Sequence, residues 1–450
     1  MLRFLFLVTS ALLAAGPPAT LPRIKFSDTR LPNGLRVIVS EDKYAPVFSI
    51  AVSYNVGSRD ERMGRTGFAH LFEHMMFKGS DKVGPGEHFV TIFNNGGNMN
   101  GTTNTDRTLY YETLPKNQLD LSLFLESDRM RSLAITKENL DNQRNAVQEE
   151  RRLAIDNQPY GPSREKLTEL AYDSFAYKHS VIGSMADLNA ATVDDVRDFF
   201  KTYYAPNNAV VALVGDLNTA ETIAKVKKYF GDIPRQEPPK PADLTEPPQQ
   251  AERRLDMDDK LARLPQVVMV YKTPPSAHAD TAALNVMAQI VGGGQSSRLY
   301  QKLVKEKEVA TSVFAFPMER GGPGLFYIAA TVRPGKTPKE VEGQISEELS
   351  RLHASPVTPD ELKRARASIR RAAISAQESS LTRAINLADD AVIYNDPGRM
   401  NTEPQKELYA TAADIERVAK AYLRTSNRTV VTTVPAAAPS PASAKKDGAK

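Results

Sequence analysis

The chain has 450 residues, of which 41% are hydrophobic and 25% charged, as in an ordinary globular protein. This length exceeds what one compact core supports, so we expect two domains of roughly 200 residues each. The net charge of +4 does not indicate nucleic-acid binding, and the absence of cysteine excludes disulfides, thiolate metal sites and a cysteine nucleophile.

The first twenty residues have the pattern of an export signal. Arg3 precedes an apolar run from Phe4 to about Ala15, and small residues follow. The run is too short to span a bilayer, and no later segment is long and apolar enough to do so. We expect residues 1–20 to be a signal peptide, with the periplasm as the destination and secretion as the alternative.

Two segments of mixed character, residues 21–233 and 253–434, follow the signal. Strands are predicted at residues 34–42, 46–58, 107–115 and 208–217 of the first segment and at 266–275, 324–334 and 427–435 of the second. Helical periodicity is clear over residues 67–79, 117–133 and 136–155. The predicted fold class is α+β, with two similar domains that each consist of a sheet packed with helices.

A proline-rich stretch separates these segments. "PRQEPPKPADLTEPP", from Pro234 to Pro248, contains six prolines and almost no apolar residue. We expect residues 234–252 to be an extended linker. The C-terminal residues 435–450 have low complexity, and we expect them to be a disordered tail.

The two segments also resemble each other in sequence, which indicates a duplicated domain. "TKENLDNQRNAVQEE" from Thr136 aligns with "TPDELKRARASIRRA" from Thr358, and Glu150 falls opposite Ala372. The corresponding pairs are Thr136/Thr358, Leu140/Leu362, Arg144/Arg366 and Val147/Ile369. The second segment has no closely spaced histidine pair. We therefore expect the functional site in the first segment and a scaffold role for the second.

"GFAHLFEHMMFKG" places His70, Glu73 and His74 on one face of a predicted helix. Two imidazoles four residues apart can bind one zinc ion, which also needs a third protein ligand and a water. Glu73 is then positioned to accept a proton from that water. The alternative, hydrogen-bonded histidines of the core, is weaker for this spacing in a chain with six histidines.

The third ligand, in a chain without cysteine, is expected to be an acidic residue on another helix. In residues 136–155, Leu140, Val147 and Ala154 form an apolar stripe that must face the core. Glu150 lies ~60° from this stripe and Glu149 ~160° away, toward solvent. We predict one Zn²⁺ per chain held by His70, His74 and Glu150, with Glu149 as a surface charge.

"HLFEH" followed by a glutamate after 75 residues resembles the inverted zinc motif of the insulinase/pitrilysin (M16) metallopeptidases. "LPNGLRVIVSED", "GGNMNGTTNTDRTLYYETLP", "YYAPNNAVVALVGDL" and "GGGQSSRLYQKL" extend the resemblance, which is greatest to the short subunits of the mitochondrial-processing-peptidase type. It implies mostly antiparallel sheets in a clamshell with an internal chamber. It also implies a zinc metalloendopeptidase that cleaves peptides or unfolded polypeptides, with zinc on His70, His74 and Glu150 and Glu73 as the base.

Several further residues have roles implied by the same resemblance. Gln143 stands where many members have a second glutamate, and a supporting hydrogen bond near the metal is predicted for it. Asn100, in "NMNGTTNTD", is a candidate substrate contact on a strand that pairs with the substrate backbone; the alternative is a polar hairpin edge. The remaining histidines are interpreted as structural or exposed: His88, His179, His278 and His353.

The second segment lacks an Arg/Tyr pair that holds substrate in self-sufficient members of the family. Val304 and Thr311 occupy those positions, and nearby Arg298 and Tyr300 are interpreted as structural. The resemblance therefore implies a heterodimer with a homologous subunit that carries the pair. The rival interpretation is a non-catalytic scaffold or peptide-binding subunit, although such members usually lose H-x-x-E-H, which this chain keeps.

Overall fold

The computed structural model describes residues 20–436, so the predicted signal peptide, apart from Thr20, and the predicted tail beyond Ala436 lie outside the described part. The strands between residues 20 and 436 are β1 (Ser27–Arg30), β2 (Arg36–Glu41), β3 (Val47–Tyr54), β4 (Asn98–Thr103), β5 (Thr108–Pro115), β6 (Ala209–Gly215), β7 (Arg253–Asp259), β8 (Gln266–Pro275), β9 (Ala310–Met318), β10 (Pro323–Val332) and β11 (Arg428–Pro435).

The α-helices of the same region are α1 (Phe68–Met75), α2 (Glu87–Asn94), α3 (Leu119–Arg131), α4 (Lys137–Arg151), α5 (Gly161–Ala171), α6 (Phe175–Lys178), α7 (Met185–Asn189), α8 (Val193–Tyr203), α9 (Thr219–Phe230), α10 (Thr281–Gly292), α11 (Pro338–Ala354), α12 (Pro359–Glu378), α13 (Ser380–Tyr394), α14 (Arg399–Tyr409) and α15 (Ala412–Tyr422). Between residues 20 and 436, none of them combines the length and the apolar character that a membrane span requires.

The strands form two sheets with the same topology. Among the described residues, the first sheet has the order β1-β2-β6-β3-β5-β4 and the second has the order β7-β11-β8-β10-β9. The pairs β2/β6 and β7/β11 are parallel, and the other neighbours are antiparallel. Apart from β1, each strand of the first sheet has a counterpart in the second. The predicted α+β fold with two similar, mostly antiparallel domains is confirmed.

Each sheet packs its own helices against one face. The core of the first sheet includes apolar side chains of α1, α3, α4, α8 and α9, and the core of the second includes those of α10, α11, α12 and α15. In β3, the large residues Phe48, Ile50, Val52 and Tyr54 all point into the first core, because side chains alternate between the two faces of a strand.

The opposite face of each sheet is covered by a helix from the other half of the chain. On the first sheet, Ala384, Leu387 and Ala388 of α13 pack against Ala51 of β3 and its neighbours. On the second sheet, Leu167 of α5 packs against strands β8, β10 and β11. The halves at residues 21–233 and 253–434 thus exchange one helix, and neither sheet is covered by its own half alone.

The proline-rich segment, residues 234–252, contains no helix or strand. It is nevertheless attached to the folded protein at several points. The Glu246 carboxylate pairs with buried Lys272, and the Gln249 amide donates to the carbonyl of Arg428. These contacts hold the segment against the second domain, and its role as a linker stays a prediction.

Candidate metal centre

Helix α1 begins at a tightly packed glycine. Gly67 has φ of 85°, and a Cβ placed there would lie 2.5 Å from the carbonyl oxygen of Ile182. The buried Glu61 carboxylate accepts hydrogen bonds from the amides of Gly67 and Ala69, at 2.9 and 2.8 Å. A carboxylate at a helix N-terminus satisfies free amides and complements the helix dipole. Glu61 therefore positions the first turn of α1.

The apolar side chains of α1 face the core of the first sheet, among them Phe68, Leu71, Phe72 and Met75. This burial leaves His70, Glu73 and His74 on the side that faces α4 and β4. The helical periodicity of the sequence alone predicts that these three residues lie on one side of α1.

Helix α4 presents the third candidate ligand. The Thr136 side chain caps its N-terminus by accepting from the Asn139 amide, and Leu140 and Val147 are buried in the core. With this rotation, Glu150 faces the two histidines, whereas Glu149 is 58% exposed and pairs with Arg152. The predicted choice of Glu150 over Glu149 agrees with the positions of both side chains.

The three ligand atoms converge. Glu150 Oε2 lies 3.3 Å from His74 Nε2 and 3.6 Å from His70 Nε2. Donors about 2.0–2.1 Å from a tetrahedral zinc ion lie about 3.4 Å from one another. Two imidazoles and a carboxylate at this spacing fit a zinc ion that keeps a fourth position for water.

The electrostatics suit metal binding as well. Burial, reinforced by neighbouring His74, lowers the pKa of His70 to about 4, so its imidazole is neutral at neutral pH. A hydrogen bond from His74 lowers the pKa of Glu150, which stays a carboxylate. Neutral imidazole and ionised carboxylate are the forms that bind metal. His70 Nδ1 is buried without a hydrogen-bond partner among residues 20–436, so packing sets its ring orientation.

The Glu73 side chain extends from α1 toward β4. The Thr103 hydroxyl donates to Glu73 Oε2 at 2.6 Å, and burial raises the pKa of this carboxyl above its usual value. Gly101 makes room, because a Cβ there would lie 3.1 Å from Glu73 Cγ. Thr103, Gly101 and Glu61 were not predicted as residues of the site. Only Gly101 carries a signal, since glycine inside a strand often marks a close approach.

Strand β4 is the outer strand of the first sheet and pairs with β5 alone among the described strands. Asn100 is exposed on it, and its Oδ1 accepts from the Gly101 amide at 2.9 Å. Buried Gln143 donates to Asn142, and within the described residues it has no hydrogen bond to His70, His74 or Glu150. The roles of Asn100 and Gln143 stay predictions.

His88 belongs to a second cluster that sequence spacing does not predict. Its Nε2 lies 2.6 Å from Glu112 Oε1 and 3.9 Å from Glu126 Oε1, all three residues being buried. Arg129 pairs with Glu126 and lies over the Tyr110 ring at 4.4 Å. The Arg129 guanidinium already balances the Glu126 carboxylate, so this cluster is a buried hydrogen-bonded group in the first domain. The structural role of His88 stays a prediction.

Val304 and Thr311, at the positions of the family's Arg/Tyr pair, and Arg298, which was interpreted as structural, all have their partners within the second domain. Val304 packs against the second core, and Thr311 is exposed on β9 with its hydroxyl 3.3 Å from the Thr331 carbonyl. Arg298 donates to both carboxylate oxygens of Glu361, at 2.6 and 2.9 Å. The second domain therefore presents neither an arginine nor a tyrosine at the two family positions.

Two domains of equal topology, with one His-His-Glu centre on the first, define an inverted-motif metallopeptidase fold. Residues 36–184 match the family model described as insulinase (peptidase family M16), and residues 190–369 match the peptidase M16 inactive domain. The chain belongs to peptidase family M16.

Curated relatives agree with this assignment. The zinc protease PqqE of Helicobacter pylori is 31% identical over 411 residues, which are 90% of this chain and 92% of that protein. The probable mitochondrial-processing peptidase subunit beta of Arabidopsis thaliana is 25% identical over 88% of this chain and 76% of that protein. A crystal structure of a protease from Helicobacter pylori superposes with a TM-score of 0.88 at 31% identity, covering 92% of this chain and all of that one.

Proposed function

We propose that the chain is a zinc endopeptidase that binds one Zn²⁺ through His70, His74 and Glu150 and hydrolyses peptides or unfolded polypeptides. The observation that carries this proposal is the convergence of these three ligand atoms beside the Glu73 carboxylate. Zinc, when bound, polarises a carbonyl and lowers the pKa of its water.

Glu73 is proposed as the general base. Thr103 occupies Oε2, so Oε1 is available to accept the proton of the attacking water and then deliver it to the leaving amine. Burial raises the pKa of Glu73, which strengthens it as a proton acceptor. The low exposure of Glu73, 8%, limits competing solvent contact.

The substrate is proposed to bind as an added strand on β4. The outer edge of β4 has no partner strand among residues 20–436, and β4 holds both Thr103 and Asn100. A peptide on this edge would gain backbone hydrogen bonds that do not depend on its sequence. Asn100 would contact it with its exposed amide.

Full activity is proposed to need a homologous subunit that carries the Arg/Tyr pair, the two chains enclosing a chamber. Val304 has no polar side-chain group, and the short Thr311 hydroxyl already donates to the Thr331 carbonyl at 3.3 Å, so neither replaces an arginine or a tyrosine as a donor to a developing oxyanion. Loss of one such donor typically costs about 10²–10³ in rate.

Residues 1–20 support the further proposal that the mature chain is exported to the periplasm.

The test is Glu73→Gln, which removes the proton acceptor and keeps the size of the side chain. We expect this variant to retain zinc and to lose peptide hydrolysis by at least about 10²–10⁴. Glu138→Gln, an exposed change on α4, is the control and should alter neither. Hydrolysis of fluorogenic peptides and metal content should be measured for the chain alone and with co-expressed M16-like subunits.

A second candidate is a metal-binding, non-catalytic subunit that presents peptides to a partner. It is favoured by Val304 and Thr311 and by the match of residues 190–369 to a domain described as inactive. Peptide binding without hydrolysis, alone and with every partner tested, would select this alternative. Hydrolysis that disappears in Glu73→Gln selects the peptidase.

A further inference from the structure

A cavity of about 340 Å³ lies where the two halves of the chain meet. Its walls come from the turn after β4, the π-helical continuation of α4 (Arg152–Asp156), α5, residues 179–182, and the loop that joins β9 to β10. The side chains that matter are Thr105, Ala154, Arg164, Glu165, His179 and Arg320. The last of these is contributed by the second half and the others by the first.

The cavity adjoins the metal centre. Ala154, in the π-helical continuation of α4 (Arg152–Asp156), follows the ligand Glu150 by four residues, or roughly 6 Å along the helix axis. Thr105, in the turn after β4, follows Thr103, the hydrogen-bond partner of Glu73, by two residues, or at most about 7 Å along the chain. A peptide that lies along β4 with its scissile bond near Glu73 would therefore direct a side chain into the cavity within one or two residues.

The charges around the cavity are not balanced. Its carboxylate, Glu165, is occupied by Arg151, whose two terminal nitrogens lie 2.7 Å from the two carboxylate oxygens. Arg164 and Arg320 make no ion pair with any residue between 20 and 436. The wall therefore carries two guanidinium groups without a carboxylate partner.

Arg320 is the more unusual of the two because it is only 6% exposed. Its guanidinium lies 4.8 and 4.7 Å from the ring centres of Tyr172 and Tyr177, and its polar contacts are 3.4 Å to the Tyr177 carbonyl and 3.6 Å to Met318 Sδ. A buried guanidinium without an anion is unfavourable. A ligand carboxylate in the cavity would remove this penalty.

The loop around Arg320 is held in place by other groups. Asp106 Oδ2 accepts from the Gly321 amide at 3.0 Å, and the Tyr177 hydroxyl accepts from the Gly322 amide at 2.7 Å. The other Asp106 oxygen is 2.8 Å from Arg59. These bonds hold the loop that carries Arg320, and none of them uses its guanidinium.

We propose that this cavity is a substrate subsite for a peptide carboxylate and that Arg320 is its specificity-determining residue. The proposal rests on the proposed function in that the ligand is a peptide bound along β4. The carboxylate belongs either to an Asp or Glu side chain near the scissile bond or to a free C-terminus. Arg164 supplies the second positive charge at the outer wall.

The experiment uses two sets of matched peptides. In the first set, the two peptides of each pair differ only in having Glu or Gln at one position, and this position is moved across the cleavage site. In the second set, one peptide has a free C-terminus and the other an amidated one. For the preferred position, we expect kcat/KM of the wild-type protein to favour the carboxylate by about ten-fold or more. In Arg320→Gln the ratio should fall to about one, and in Arg320→Lys it should be partly restored. A preference within a Glu/Gln pair identifies a side-chain carboxylate, and a preference within the C-terminus pair identifies the free C-terminus.

The control is Arg197→Gln, an exposed arginine paired with Asp194 away from the cavity, which should keep the wild-type ratio. Measurable hydrolysis at equal rates for every pair in the wild-type protein, or an unchanged ratio in Arg320→Gln, would overturn the proposal. If Arg320→Gln does not fold, Arg164→Glu replaces it: a ratio lowered several-fold supports the subsite, and an unchanged ratio refutes it.

A binding experiment separates this proposal from the catalytic one. Fluorescence anisotropy measures the affinity of the same peptide pairs for zinc-loaded Glu73→Gln. If no peptide is hydrolysed by the wild-type protein but the Glu peptide binds about ten-fold more tightly than the Gln peptide, the peptidase proposal fails and the subsite stands. Equal affinities for all pairs would refute the subsite whether or not hydrolysis occurs.

Discussion

The two domains share their supporting interactions and differ at the metal centre. Thr136 and Thr358 cap the N-termini of α4 and α12. Arg144 donates to the Ala191 carbonyl just before α8, and Arg366 donates to the Ala410 carbonyl just before α15. The side chains of Asn208 and Asn427 likewise bind equivalent carbonyls, those of Tyr203 and Tyr422. Backbone support is needed in each copy of the fold, whereas one copy of the metal centre is enough for one site.

The two domains are not independent, because each sheet packs against a helix from the other half of the chain. In β3, the small residues Ser49, Ala51 and Ser53 lie on the face that receives α13 from the other half. Small side chains on both elements let the helix lie close to the sheet. Each domain thus depends on the other to cover one face of its sheet, although only one carries the proposed chemistry.

The largest effect is expected at the metal centre itself. Glu150→Gln should lower zinc affinity by more than about 100-fold and abolish activity, since it removes a ligand rather than a group behind a ligand. Glu149→Gln, on the neighbouring exposed position, should leave both unchanged. Metal content by mass spectrometry, with peptide assays, measures this. Loss of zinc in Glu149→Gln alone would show that the ligand has been assigned to the wrong residue.

The asymmetry can be tested from the other side with Ala372→Glu, which restores a carboxylate at the position equivalent to Glu150. Helix α10 has no histidine, so the variant should still bind one zinc per chain. A second equivalent of zinc would contradict the assignment of the second domain as a metal-free scaffold.

The next effect concerns the exchanged helices. Leu387→Ala on α13 and Leu167→Ala on α5 each remove a buried side chain from the opposite half's sheet and should cost about 2–5 kcal/mol in unfolding free energy. Ile374→Ala, at an exposed site on α12, should cost less than about 0.5 kcal/mol. Urea unfolding measures these costs. Two separate transitions, with Leu387→Ala shifting only the second domain, would refute the exchange.

Arginines 144 and 366 offer a matched comparison of smaller size. Truncation of either to alanine should cost about 1–3 kcal/mol, because it leaves backbone carbonyls without their charged donor. Arg144→Ala should also weaken zinc binding, since α4 carries Glu150, while Arg366→Ala should not. Thermal unfolding and zinc titration distinguish the two results. Equal zinc affinity in both variants would mean that Arg144 does not help to position α4.

The smallest effect is a difference in acid stability between the two helix caps. Partial burial raises the pKa of Glu361, but hydrogen bonds from Arg298 and from the Thr358 amide outweigh it and lower the pKa to about 2. A lowered carboxyl pKa stabilises the folded state above the unfolded value of 4.5, and this contribution is lost as the pH falls toward 2.

Glu361→Gln should therefore cost about 1 kcal/mol at pH 7 and progressively less from pH 4.5 downward. The equivalent cap position on α4 is Asn139, so Asn139→Ala should show a cost that does not change over this range. Urea midpoints between pH 7 and pH 3 compare the two variants. A pH-independent cost for Glu361→Gln would contradict the ion pair.

Much of the fold was predictable from local patterns. The predicted strands at residues 266–275 and 427–435 and the helix at 136–155 agree closely with β8, β11 and α4 with its π-helical continuation, Arg152–Asp156. Strands β1, β7 and β9 were not predicted. The exposed or half-exposed alternate residues of β1 and β7 produce only a weak hydrophobic signal.

The sequence by itself determined which sides of α1 and α4 are buried, and it placed His70 and His74 of α1 and Glu150 of α4 next to those buried sides. Helical period and apolar spacing are local properties, so they can be read along the chain. Tertiary structure alone decided what lies opposite each face. Glu61 beneath α1, Thr103 beside Glu73, α13 on the first sheet and Arg320 beside the cavity come from distant segments. Their contacts depend on how the two sheets pack together, which no local period records.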